Sequence, residues 1–194
     1  EAACPRRLHA VTRWKLSRER ALVRLRDLKF AFREYVDSQF GFRAIDCGTC
    51  QTPCCADAEF VNVNITRLEG EAILRVLGDS SRFSASDRDR ILERAAGTVQ
   101  SLGLESATDT FATTYACPLF EPGTGCLVHF EAKPAPCIHH GCYEAPEHLP
   151  DEASRIDVER SVAELNREVY GADESQWGYR TIPVWMTRLA RLRR

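Results

Sequence analysis

Apolar residues recur at spacings of three, four and one through residues 13–40, where Leu22, Leu25, Leu28, Phe32, Tyr35 and Val36 form one stripe with most arginines between them. No Gly or Pro interrupts the run before Gly41, so the pattern predicts one long amphipathic helix. A basic helix of this kind can rest on a membrane or an acidic partner, but a packed helix with a solvated arginine face is the simpler expectation. The period then shortens to two over Val61, Val63 and Ile65, which predicts a short strand or extended segment. Two helices are predicted after it. In the first, Thr66 and Glu69 stand at capping-box spacing and Gly78 marks the end. In the second, Ser84 or Ser86 is the cap, acidic residues fill the first turn and Gly103 is the stop. A further helix is predicted over 154–171 with Ile156, Val162, Leu165 and Val169 as its buried side, and after it Trp177 and Trp185 anchor the end of the chain on the core.

Two stretches show neither period. Residues 45–59, IDCGTCQTPCCADAE, hold four cysteines within nine positions and are broken by Gly48 and Pro53, which predicts a loop or a set of tight turns. Residues 117–150 hold six of the nine prolines, four of the five histidines and four more cysteines. A segment so rich in proline needs something other than backbone ladders to keep its shape.

Composition narrows the chemistry. With 194 residues and 44% hydrophobic content the chain can bury a sizeable core, so it has no need of a disulfide framework. A formal net charge of −2 gives no case for nucleic acid or an anionic membrane as the main partner. No apolar run approaches the length of a membrane span and the first residues lack a signal-peptide pattern, so the reading is an intracellular, cytoplasmic protein. A Ser/His/Asp arrangement, a phosphate-cradling glycine loop and paired carboxylates are not found; a nucleophilic Cys137–His140 pair stays open.

Eight of the nine cysteines gather in the two irregular stretches: Cys47, Cys50, Cys54 and Cys55 in the first, Cys117, Cys126, Cys137 and Cys142 in the second. Disulfides are disfavoured because the total is odd and the adjacent Cys54 and Cys55 do not bridge comfortably. Plain buried thiols gain no packing benefit from such density. Turns let side chains a few residues apart converge on one ion, which favours metal ligation. Only Cys47 and Cys50 show the C-x2-C spacing of structural zinc, whereas the long gaps of the second group and its Cys117-Pro118 step fit an iron–sulfur centre better. His139 and His140, between Cys137 and Cys142, are either ligands or bases at the metal, or ordinary loop residues, one exposed and one bonded to backbone. His129 is read as packing, Asp46, Asp57 and Glu59 as solvent-facing, and Cys4 as a free thiol.

In order, Cys47, Cys50, Cys54 and Cys55, then Cys117, Pro118 and Phe120, then Cys126, Val128 and His129, then Lys133, Pro134 and Cys137 resemble the pattern of the YkgJ-type cysteine-cluster family, described as zinc- or iron-chelating domains. The resemblance spans residues 45–142 and implies a metal-cluster domain. Because that family includes a flagellin lysine methylase, it also admits a protein-modifying methyltransferase, although this chain has no nucleotide-binding glycine turn and no C-x3-C-x2-C motif.

The resulting expectation is a mainly α, irregular helical fold with long loops organised around a cysteine-ligated metal or iron–sulfur centre. Residues 1–44 supply an N-terminal amphipathic helix, 45–150 the cysteine-cluster region and 151–194 a C-terminal helical extension of the same domain. The metal ligands are Cys47, Cys50, Cys54, Cys55, Cys117, Cys126, Cys137 and Cys142, holding an iron–sulfur cluster, 4Fe–4S in the favoured form, or zinc. The expected role is redox or enzyme support; the alternatives are a structural-zinc interaction module and a metal-dependent enzyme. The partner, protein or small molecule, is not specified by these residues.

Overall fold

The computed structural model describes residues 15–41, 44–45, 53–106, 111–140, 142–143 and 145–192. Among them are six helices: α1 (Arg18–Phe40), α2 (Arg67–Leu77), α3 (Ala85–Ser101), α4 (Ala135–His139), α5 (Glu152–Tyr170) and α6 (Ile182–Arg191). Six two-residue strands pair antiparallel as β1 (Ala44–Ile45) with β5 (Cys142–Tyr143), β2 (Asn64–Ile65) with β6 (Arg180–Thr181), and β3 (Phe120–Glu121) with β4 (Gly125–Cys126). The described chain is thus mainly helical, as the periodicities predict. None of its helices is long and apolar enough to cross a membrane.

α1 begins at Arg18, later than the apolar pattern alone implies, because the Ser17 hydroxyl accepts from the Arg20 N–H and caps it there. Its inner face is Ala21, Leu25, Lys29, Phe32 and Val36, an unbroken i, i+4 or i+3 series. Tyr35 lies one step off that face and is exposed, its hydroxyl donating to Asp151 Oδ2 at 3.0 Å. Asp151 in turn caps α5 through the Ser154 N–H at 2.7 Å.

Lys29 is a polar residue on an apolar face. It is buried, and its ammonium pairs with Glu69 Oε1 at 2.7 Å. The other oxygen of Glu69 accepts from the Thr66 N–H at 2.9 Å and the Thr66 hydroxyl at 3.1 Å, closing the predicted capping box at the start of α2. One carboxylate therefore starts α2 and ties it to α1.

The main core lies between α2, α3 and α6, where Ile65, Ile73, Leu74, Leu77, Ile91, Ala95, Ile182, Trp185, Met186 and Leu189 are buried together. At Gly70 the α2 and α6 backbones come close: a Cβ there would sit 3.0 Å from Trp185 Cβ and from Leu189 Cδ1. Trp177 and Trp185 anchor the C-terminal segment, as predicted, donating to the Gly171 and Gly178 carbonyls at 2.8 and 3.1 Å. On the other side of α2, Ala21 and Leu25 pack with Leu68 and Val162 of α5.

Three expectations need correction. Ile156 is exposed, not buried: six residues from Val162 at about 100° per residue place it roughly 120° off the inner face, and Val158 packs there instead. The extended segment forms a ladder only at Asn64–Ile65, although Val61 is buried beside it. Residues 135–139, read as irregular because of their prolines, form α4: Pro134 caps it and Pro136 sits in its first turn, where a missing N–H costs nothing.

Candidate functional site

Besides the burial of Leu119, Leu127 and Val128 in the core, arginine side chains brace the irregular region. Arg33 of α1 donates to the carbonyls of His129 and Phe130, the latter at 3.2 Å. Arg94 of α3 donates to the Pro118 carbonyl at 2.9 Å, and Arg82 reaches the Leu127 carbonyl at 3.3 Å while pairing with Glu131. These guanidinium groups satisfy loop carbonyls that no ladder reaches. The turn at 122–124 closes the β3–β4 hairpin, with Gly123 and Gly125 at φ of 75° and 84°.

Two backbone bonds lay this region beside the first cysteine group. The Tyr115 N–H donates to the Val61 carbonyl and the Cys117 N–H to the Cys55 carbonyl, each at 2.8 Å. The buried Tyr115 ring fixes the same junction from inside, its hydroxyl donating to the Val63 carbonyl at 2.5 Å and accepting from the Ile182 N–H at 3.3 Å.

The result is a cavity of about 730 Å³ whose walls include Cys54, Cys55, Cys117, Cys126 and Cys137. Cys54 and Cys55 lie on a single 3-10 turn, Cys126 on β4, and Cys137 in the middle of α4. Cys54, Cys117 and Cys137 are free thiols. Burial is the main cause that pushes the Cys117 thiol well above its ordinary range and Cys137 up to about 12, so both are protonated at neutral pH. The Leu119 N–H points at the Cys117 sulfur and opposes this, and Lys133 and Lys29 oppose it at Cys137.

Cys47 and Cys50 lie outside the described residues, as do Cys4 and Asp46. Cys142 is placed by its backbone in β5, opposite Ile45. Asp57 and Glu59 face solvent, as expected. The two histidines divide as one of the two readings has it. His139 is buried and its Nε2 donates to the Pro150 and Asp151 carbonyls at 2.9 and 3.2 Å. His140 is exposed and leans on Phe60 with ring centroids 5.5 Å apart, and desolvation by its neighbours holds its pKa below the ordinary histidine value. His129 packs edge-to-face on Phe130 at 4.8 Å.

Comparison of the chain with family models, curated proteins and solved structures gives no match.

The cavity brings sulfur donors from both irregular stretches of chain to one space, and sulfur, once deprotonated, suits a soft or borderline ion. The spacing is looser than ligation demands: among the described residues no three His, Cys, Asp or Glu side chains are grouped closely enough to hold a metal ion. What these residues form is a lined chamber, not a closed coordination sphere.

Sequence reasoning overlooked two residues of this chamber. Phe60 and Phe130 are exposed by 52% and 75% beside its walls, and large exposed aromatics next to a cavity are the signal that marks them. They stand directly after residues already singled out, Glu59 and His129, but no periodicity distinguishes them.

Proposed function

We propose that this protein binds a metal centre in the thiol-lined cavity, an iron–sulfur cluster in preference to zinc, and uses it in electron transfer or in support of a reaction. The observation that carries the reading is the shared cavity: Cys54 and Cys55 come from one irregular stretch, Cys117, Cys126 and Cys137 from the other, and all five face the same space. The resemblance of residues 45–142 to YkgJ-type cysteine-cluster domains points the same way. The arginine bonds to the loop carbonyls favour a functional centre over a purely structural zinc, because they give the loop a means of support that needs no metal. Ligation must displace thiol protons, so metal affinity rises with pH.

The test is metal and acid-labile sulfide analysis with a visible spectrum, on protein purified without oxygen and without a metal-binding tag. Iron and sulfide in matching amounts are expected. Zinc alone in a colourless protein would move the reading to a structural site, and protein without either metal when loaded anaerobically with iron, sulfide and reductant, or with zinc, would overturn it.

A further inference from the structure

The cavity is larger and more apolar than an ion needs. Its volume of about 730 Å³ lies within the range of about 300–1,000 Å³ typical of small-molecule sites, and Leu119, Val128 and Ile182 line it beside the thiols. Phe60, Phe120 and Phe130 add aromatic surface, Phe60 and Phe130 with much of their rings in solvent. Aromatic side chains left exposed beside a cavity mark a surface that gains from being covered.

The charges around it do not balance. Arg155 on the wall is paired with Glu152 and, at 2.6 Å, with Glu159. Asp37 is opposed by the Arg33 guanidinium. Lys133 lines the same cavity, partly buried, and faces Cys137 and His140; it has no ion-pair partner among the described residues. An ammonium on a mostly apolar wall is a recognition element for an anion.

We propose that the cavity binds a small organic acid, with its carboxylate on Lys133 beside His140 and its apolar body along Phe60, Phe120 and Phe130. This rests on the reading that the cavity is the functional site, and not on the presence of a metal.

Titration calorimetry of the full chain with 4-phenylbutyrate and with its uncharged analogue 4-phenyl-1-butanol tests the assignment, each on metal-loaded and on chelator-treated protein whose fold is checked by circular dichroism. The acid should bind about tenfold tighter than the alcohol, since a charged hydrogen bond separates them. Lys133→Met should abolish that difference and Lys133→Arg should keep it, while Phe130→Ala weakens both ligands. Equal binding of acid and alcohol by the unaltered protein, or no binding of either at millimolar concentration, would overturn the proposal. So would an acid preference that vanishes on chelation with the fold intact, because the metal would then hold the carboxylate. An acid preference that depends on Lys133 in protein that never takes up metal would uphold this inference and refute the metal centre.

Discussion

The α2–α3–α6 core and the wall of the thiol cavity lie back to back, and Leu119, Val128 and Ile182 belong to both. They are held by different forces. The core rests on non-directional burial spread over many aliphatic side chains, so each contributes a share. The wall adds to that burial directional bonds from Arg33, Arg82 and Arg94 to specific carbonyls, and each such bond either exists or does not. A chain builds a rigid scaffold cheaply by the first method and places irregular backbone around a chamber by the second.

That contrast breaks first in the core. Ile73 is fully buried, and Ile73→Ala should lower unfolding stability by about 2–5 kcal/mol in urea titration, with a uniform loss of cooperative structure. In the wall, Arg94→Met should cost about 1–3 kcal/mol by leaving the Pro118 carbonyl without its partner. The informative readout there is iodoacetamide labelling of Cys117, which should accelerate in Arg94→Met and stay unchanged in Ile73→Ala under native conditions. Equal acceleration in both would show that the two regions open as one.

A pH series sharpens the comparison further. The folded-state pKa of Cys137 is raised to about 12 and that of Cys117 is raised by burial, against about 8.5 for an unfolded thiol. The unfolded chain therefore loses thiol protons first, and the stability these groups contribute is intact below about pH 8.5 and is lost as pH climbs toward the folded values. Metal-free protein should show a falling thermal midpoint above about pH 8.5, with a shallower fall in Cys137→Ala. The smallest effect belongs to the outer edge of the core, where Glu105 pairs with Arg188 at 2.8 Å and Arg191 at 3.3 Å. The hydrogen bond from Arg188 holds its carboxyl below the usual range, so its stabilisation is present above about pH 4.3 and disappears as pH falls through the folded value. Glu105→Gln should cost under about 1 kcal/mol at pH 7, and the gap to the unaltered protein should close in acid.

The same division explains which features are legible in the amino-acid sequence. Caps and periods are local, and so Thr66 with Glu69 and the stop at Gly78 are readable from spacing alone, while the choice between Ser84 and Ser86 as the next cap falls to Ser84 through its bond with Asp87. The cavity is a non-local object. That Cys55 and Cys117 are neighbours follows from a backbone bond across more than sixty residues of chain, and that Arg33 supports His129 follows from α1 crossing α4. Grouping of cysteines in turns points to a common site; which of them share a wall, and how openly, depends on packing that no period encodes. Pro134 and Pro136 mislead because proline in a first helical turn looks the same in sequence as proline in a loop.

The paired backbone bonds from Tyr115 to Val61 and from Cys117 to Cys55 also set a clock. Their amide protons are expected to exchange with solvent when the segment 115–117 lifts away from 55–61, the step that parts the backbones carrying Cys55 and Cys117. Slow deuterium uptake at positions 115 and 117 would then count how often these two segments come apart.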